Sequence, residues 1–319
     1  CSLPVAFLEL TVDENTPMEQ FWAQMMQLAR TDVPVEAQTV NLVGFTAEHS
    51  SFADEAGEVL ASLGIRINSL LVPSFRTEAA ERFCAAAVTA VSSAEVVAEE
   101  FRLVRRRFKS RMRFEDVDPP FGPAATRRFY RRLLLACGAS AAGSAIEACW
   151  KPLRDEWAQW RLRASAHTAA IVVAPQEAEY LTRPRKLYGI PLVGLLREMG
   201  FSVLILCTER HASDDGHALA RSLRDGLPSR LGEDAGVTLT AVPGRGPIGP
   251  ALARAEAAMV FTEYPPDRRI TDAGKMFFHP RDIELGFRGA MRTIFRLTRL
   301  AESGFPLDFR TAPAVPGLP

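Results

Sequence analysis

The sequence predicts an α/β protein made of tandem Rossmann-like parallel-sheet domains with flanking helices, and three observations carry that reading. A strand, a helix, a glycine and another strand follow one another twice, and the phrases VLASLGIRINSLLV and LLREMGFSVLILCT are near-equivalents. Such a unit is βαβ, whose crossover builds a parallel sheet with helices on its faces. The strand candidates are short, continuous apolar runs, as expected of strands covered on both sides. With 319 residues, 47% hydrophobic and 24% charged, the chain can bury more than one core.

The first copy opens with Val40 to Phe45. Its helix runs from Phe52 to Leu63, with Val59, Leu60 and Leu63 apolar and Glu55 and Glu58 between them, and Gly64 ends it. Ile65 to Val72 is the next strand. Ala94 to Met112 reads as one charged amphipathic helix, and Pro119 to Pro123 as a loop that its prolines keep out of helix. A helix starts near Ala124, and Ala139 to Arg163 is a tryptophan-containing helical connector interrupted at Pro152. The second copy runs from the strand Ala169 to Ala174, through the helix Pro191 to Met199, to the strand Phe201 to Leu206. A charged helix from Asp214 to Leu223, a Gly/Pro-rich loop from Pro243 to Pro250 and a last strand from Ala257 to Thr262 follow. Gly289 to Glu302 then has helical spacing, and the tail from Pro306 is extended.

Lys plus Arg and Asp plus Glu both count 38, so no basic excess points to nucleic acid. No apolar run approaches the roughly 20 residues of a membrane span. Five widely spaced cysteines without a CxxC pair argue against a disulfide framework and fit a reducing cytoplasm. Cys84, Cys137, Cys149 and Cys207 lie in apolar helix or strand contexts, where cysteine acts as a small hydrophobe. No Walker loop occurs, and Gly244 to Gly249 reads as a turn, because a dinucleotide fingerprint must follow a strand and open into a helix. The arginine-rich stretches Arg105 to Arg111 and Arg127 to Arg132 read as solvated helix faces beside Glu99, Glu100, Glu115, Asp116 and Asp118. The βα loops Phe45 to Ser51 and Pro175 to Thr182 are where this architecture binds ligands. Among the histidines, His49 lies in such a loop, and His279 stands out because Phe277, Phe278, Asp282 and Glu284 surround it with apolar and acidic neighbours.

Pro120-Phe-Gly-Pro-Ala-Ala-Thr126 resembles a loop-to-helix signature of the nitrogenase component 1 family, and Glu284-Leu-Gly-Phe-Arg-Gly-Ala290 resembles its closing glycine-aromatic-x-glycine motif. The opening Leu3 to Leu10 and Met18 to Trp22 also resemble subunits of light-independent protochlorophyllide reductase. The resemblance spans nearly the whole chain and implies a segmentation. Residues 1–36 are a remnant of a first domain with an entry helix, and 37–140 are a middle Rossmann-like domain. Residues 141–167 are a connector helix, 168–288 a second Rossmann-like domain, and 289–319 a C-terminal helix and tail. The chain, which starts at Cys1 rather than Met, then reads as lacking most of the first domain.

The resemblance implies a subunit of a two-component reductase that passes electrons to an organic substrate or cofactor in an interdomain cleft. Its implied partners are a sister component 1 subunit and an ATP-dependent iron–sulfur reductase protein. The implied cofactor is a [4Fe–4S] cluster shared with the partner subunit, with Cys1 as this chain's metal ligand and His279 as proton donor or cofactor ligand. Two departures stand against the family pattern. Val91-Ser-Ser-Ala94 occupies the region where the molybdenum enzymes of the family carry a cofactor-binding cysteine, and serine replaces a soft thiolate poorly; no aspartate near Ala164 to Thr168 matches the one that protonates substrate in protochlorophyllide reductase. The alternatives are a non-catalytic assembly or scaffold subunit, and a two-domain glycosyltransferase or ligand-binding protein. Phe21, Trp22, Met25, Met26 and Leu28, at helical spacing, are expected either to form an exposed interface patch or to pack on the last helix around Ile294 and Leu297.

Overall fold

The computed structural model describes residues 16–45, 51–72, 75–139, 143–174, 178–208, 237–242, 248–263 and 268–303. The chain divides into two compact units, Cys1–Lys151 with Leu285–Arg288, and Pro152–Glu284 with Gly289–Pro319.

In the first unit, chain order is α1 (Met18–Met25), β1 (Glu36–Val43), α2 (Phe52–Ser62), β2 (Arg66–Leu71), α3 (Thr77–Glu81), β3 (Ala86–Ser92), α4 (Glu95–Glu100), α5 (Arg102–Phe108), β4 (Arg113–Val117), α6 (Pro123–Ala136) and α7 (Gly143–Trp150). The four strands are parallel in the order β2-β1-β3-β4. The helix expected over Ala94 to Met112 is broken at Phe101 into α4 and α5. A strand follows in which Glu115 and Asp116, expected only as charges beside an arginine-rich face, alternate on the sheet edge. Of those stretches, Arg105 pairs with Asp116 and Arg132 with Glu115, which Arg113 of the same strand also meets.

The exposed patch expected of the entry helix is not present. Trp22 and Met26 are buried, 2% and 0% exposed, in one core with Phe83, Phe101, Val104 and Phe108. The entry helix therefore packs under α4 and α5, where large apolar side chains are already gathered, instead of forming a free patch. Fully burying a side chain of this size is worth about 1.5–3 kcal/mol, enough to fix a helix of eight residues that would not stand alone.

The second unit runs α8 (Arg154–Ala164), β5 (Thr168–Val173), α9 (Ala178–Thr182), α10 (Leu192–Glu198), β6 (Ser202–Thr208), β7 (Val237–Val242), α11 (Ile248–Arg254), β8 (Met259–Phe261), α12 (Arg268–Asp272), β9 (Met276–Phe278) and α13 (Gly286–Ser303), whose first three residues belong to the first unit. Its sheet is parallel in the order β7-β6-β5-β8-β9. The strand expected to be last, over Ala257 to Thr262, is β8; β9 adds one more at its side. Three residues, Met276 to Phe278, give too short a run for periodicity to distinguish from a loop. Pro152 interrupts the connector in a 3₁₀ turn between α7 and α8. The expected helix from Asp214 to Leu223 lies outside the described residues. Among the described residues, no helix is long and apolar enough to cross a membrane.

Candidate functional site

In the second sheet the strand order reverses between β5 and β8: from β5 the chain moves outward through β6 and β7, then returns to lay β8 and β9 on the other side. Carboxyl ends at such a reversal splay their following loops apart and leave a crevice. A cleft of about 170 Å³ lies there, lined by Val173 of β5, Tyr180 and Leu181 of α9, Leu187, Ile248 and Leu252 of α11, Phe261, Thr262 and Glu263 at the end of β8, and Arg269 and Ile270 of α12. Val173, Leu181, Leu187, Leu252, Phe261 and Ile270 are buried and make an apolar wall. Tyr180, Thr262, Glu263 and Arg269 bring the polar groups. A cavity near 150 Å³ admits benzene, so this one has room for a single ring-sized group. Mostly apolar walls with a few convergent polar side chains are the composition of small-molecule sites.

Strand ends mark this cleft in the sequence only in part. The loop expected to bind, Pro175 to Thr182, contributes Tyr180 and Leu181, while 175–177 lie outside the described residues. Thr262, Glu263 and Arg269 escape sequence reasoning. The first two immediately follow an apolar run, which is the available signal, whereas Arg269 comes from a helix of five residues with no marking pattern.

His279 follows β9 at the same edge of the sheet but does not line the cleft. It caps the 3₁₀ turn Pro280–Asp282: its Nδ1 accepts from the backbone N–H of Arg281 at 3.1 Å, and its own backbone N–H donates to the Asp282 carboxylate at 3.0 Å. The cap thus takes up Nδ1 and leaves Nε2 as the ring nitrogen able to meet a ligand. Cys1 and His49, the other residues singled out, lie outside the described residues.

The first sheet reverses between β1 and β3. Gly44, at φ +78°, follows β1, and a β-carbon there would stand 2.5 Å from Val97 Cγ1 and 3.1 Å from Ser92 Cβ. Only glycine fits so close an approach in that conformation. Ser92 and Ser93 are buried; Ser92 Oγ accepts from the Ala94 N–H, and Ser93 Oγ donates to Asp118 at 2.5 Å.

The two phrases that carry the family resemblance meet in the first unit. Gly122 caps α6 with Pro123 in its first turn, and Thr126 Oγ1 donates to the carbonyls of Pro120 and Gly122 at 3.1 and 2.8 Å. Phe121 bridges antiparallel to Leu285, and the Gly286 N–H donates to the Pro120 carbonyl at 2.9 Å. The next two amides, Phe287 and Arg288, each donate to the Glu55 carboxylate at 2.7 Å, and Tyr130 Oη lies 3.5 Å from it. Glu55 is 3% exposed. Burial, first, and the neighbouring Glu55 carboxylate push the Tyr130 phenol far above its ordinary range, so it stays a neutral donor. Gly286 has φ +85°, and a β-carbon on it would meet Glu55 Oε1 at 2.6 Å. The glycine of this motif thus makes room for a carboxylate at the amino end of α13, where free N–H groups and the helix dipole favour negative charge.

The donor set among the described residues does not fit an iron–sulfur cluster. Cys84 and Cys207 are buried, Cys137 and Cys149 are half-buried, and no three His, Cys, Asp or Glu side chains gather into a possible metal site. Burial pushes the Cys84, Cys137 and Cys207 thiols up from their ordinary value, away from the thiolate form that attacks disulfides and binds iron. In the native chain at neutral pH, Cys84 and Cys207 are expected to resist a disulfide reagent such as DTNB and to react within seconds of unfolding in guanidinium. Modification of either at the rate of a free thiol would show that these segments open.

No curated protein matches the sequence. Among solved structures, nitrogenase Cp1 at pH 5 is similar with a TM-score of 0.59 at 12% identity, covering 93% of this chain and 63% of the other. Nitrogenase Cp1 at pH 6.5 gives 0.58 at 11% identity, with 93% and 65% covered. This chain therefore spans less than two thirds of those proteins, and at such identity the likeness is one of fold. The family itself is shown by its profile, nitrogenase component 1 type oxidoreductase, which matches residues 9–301 and so takes in both sheets, the cleft and the Glu55 clasp; the chain belongs to that family.

Proposed function

We propose that the chain is a subunit of a nitrogenase-like two-component reductase, and that the β5–β8 cleft receives a ring-sized part of its organic substrate or cofactor. The observation that supports this most is the cleft, which combines an apolar wall with Tyr180, Thr262, Glu263 and Arg269 at a strand-order reversal. Electrons would come from an ATP-dependent iron–sulfur reductase protein, with a sister component 1 subunit completing the assembly. The described thiols do not fit a cluster; Cys1 is this chain's candidate ligand to a [4Fe–4S] cluster shared with the partner subunit. His279, outside the cleft at the same edge of the sheet, is the candidate proton donor, through Nε2 because its cap occupies Nδ1, to a part of the substrate that extends beyond the cleft.

Anaerobic co-expression with the products of neighbouring genes tests the reading. An assembled complex with an iron–sulfur absorption band and reductase-dependent turnover is expected. His279→Asn, which keeps a capping acceptor, is expected to cut turnover by about 10²-fold or more at unchanged melting temperature. A complex without any iron–sulfur chromophore would replace this reading by a non-catalytic assembly subunit. That second reading draws on Ser92 and Ser93, which fall in the region where the resemblance implies a cofactor-binding cysteine in the molybdenum enzymes, and whose hydroxyls are committed to the backbone and to Asp118.

A further inference from the structure

In the first unit, Arg128, Arg131, Arg132 and Leu135 recur along α6 at three- and four-residue spacing and so form one stripe of that helix. The core side of α6 carries Phe129, Tyr130, Leu133 and Leu134, all buried, whereas Leu135 is 74% exposed. Glu55 of α2 meets α6 through Tyr130. At 3.6 residues per turn, Tyr130 stands about 160° round the helix from Arg128 and Arg132, so the stripe is turned away from the carboxylates of α2.

The charges on this face do not cancel. Arg113 of β4 and Arg132 share the Glu115 carboxylate at 2.6 and 2.7 Å, while Arg127 and Arg131 share that of Glu147 of α7 at 2.8 and 3.8 Å. Arg128 is exposed and meets no carboxylate among the described residues. The other charged groups of the adjoining elements are Asp116, paired with Arg105, Asp118, which takes the Ser93 hydroxyl, and Lys151 in the turn after α7. Seven basic side chains thus stand against four carboxylates. The array is held in place, since the Arg127 guanidinium lies 5.2 Å over the Trp150 ring and Arg113 donates to the Ala136 carbonyl, next to Leu135, at 3.0 Å.

We propose that the outer stripe of α6 is a docking surface for an acidic amphipathic helix of a partner protein, which sets carboxylates on Arg128, Arg131 and Arg132 and an apolar side chain on Leu135. Arg128 and Leu135 are separated by about 10 Å along the axis, matching groups two turns apart on a helix laid alongside. The excess positive charge selects an acidic partner and speeds its approach, and arginine is among the residue types on which interface energy concentrates. The exposed leucine in the same stripe calls for an apolar group beside those carboxylates. A second copy of this chain is disfavoured because the stripe would meet its own positive charge. Nucleic acid is disfavoured by the balanced charge of the whole chain and by a stripe that offers no aromatic ring for a base to stack on. The cleft plays no part in this, since its residues all belong to the second unit.

The test uses the full chain and a fluorescent helical peptide in which glutamates flank leucines at helical spacing, followed by anisotropy, with a lysine-for-glutamate peptide and a single-stranded oligonucleotide as comparison probes. Binding of the acidic peptide that weakens with added salt is expected, and both Arg128→Glu and Leu135→Ser should weaken it about ten-fold or more. Exposed positions carry both changes, and circular dichroism checks that the fold survives. Arg299→Glu makes the same charge change at an exposed arginine of the second unit and should leave binding within about two-fold at physiological salt, where distant charges are screened. No binding of the acidic peptide, equal binding by either α6 variant or by the lysine peptide, or an equal loss in Arg299→Glu would overturn the proposal. Preference for the oligonucleotide would overturn it in favour of a nucleic-acid surface.

Discussion

Replacing Glu55 by alanine is expected to cost the first unit about 4 kcal/mol, enough to melt a marginal domain. The carboxylate receives the Phe287 and Arg288 amides and lies beside the Tyr130 hydroxyl; the Phe287 and Tyr130 bonds are buried and the Arg288 bond part-buried. Hydrogen bonds to a charged group are worth roughly 1.5–3 kcal/mol each, and removing the acceptor strands the buried Phe287 amide. Glu55→Gln is expected to fall between alanine and the native residue: one amide keeps its acceptor, while the other faces an NH₂ group. Gly286→Ala should act in the same direction, because its β-carbon would drive into Glu55 Oε1. The nearby ion pair between Arg288 and Glu58 is exposed, so Glu58→Gln should cost well under about 1 kcal/mol and serves as control. Hydrogen exchange at the Phe287 and Arg288 amides reads the effect locally. Unchanged protection in Glu55→Ala would mean that the clasp contributes little.

Asn41→Ala is expected to cost about 3–5 kcal/mol, again in the first unit. Asn41 is fully buried in the middle of β1, and its amide spends all four of its hydrogen-bonding opportunities. Nδ2 donates to the Phe83 carbonyl at 2.9 Å and to Thr89 Oγ1 at 3.0 Å, while Oδ1 accepts from Asn68 Nδ2 at 2.8 Å and Ser69 Oγ at 2.6 Å. Three adjacent strands and the turn before β3 are thereby cross-linked at one level of the sheet. Alanine leaves the whole set unmatched. The unit should then unfold at lower urea, with the β1 and β3 amides exchanging early; a midpoint within error of the native chain would show that water substitutes for the side chain.

These two residues also mark where the sequence is legible. Val40 to Phe45 is recognisable as a buried strand from its neighbours, in spite of Asn41, since apolar runs carry their own signal; that Asn41 is the hub of a polar network depends on Phe83, Asn68 and Thr89, which only folding brings to it. Glu55 reads from sequence as the polar side of an amphipathic helix, between Val59, Leu60 and Leu63. It is buried because Gly286 to Arg288, some 230 residues away, cover it. The motifs Pro120 to Thr126 and Glu284 to Ala290 are visible as phrases, but their contact is not. Short strands such as β4 and β9, charged or three residues long, form because a neighbouring strand offers a free edge, a cause with no local trace. The cleft follows from strand order, so its location is foreseeable from topology, whereas Glu263 and Arg269 are placed by segments without periodic pattern.

The partnership of Glu55 with Phe287 and Arg288 also has a meaning in time. Synthesis proceeds from the amino end at about 5–20 residues per second, so Glu55 emerges on the order of tens of seconds before the amides that receive it. During that interval β1 to β4 can pair, since they arise from one stretch of chain, but the carboxylate has no helix end to meet and the Pro120 carbonyl no Gly286. The first unit is therefore open at one seam until residues 285–288 have left the ribosome, and long-range closure of this kind slows folding. A nascent chain that stalls before residue 285 would carry a negative charge in an unfinished core, which only chains that reach the Gly286 turn can close.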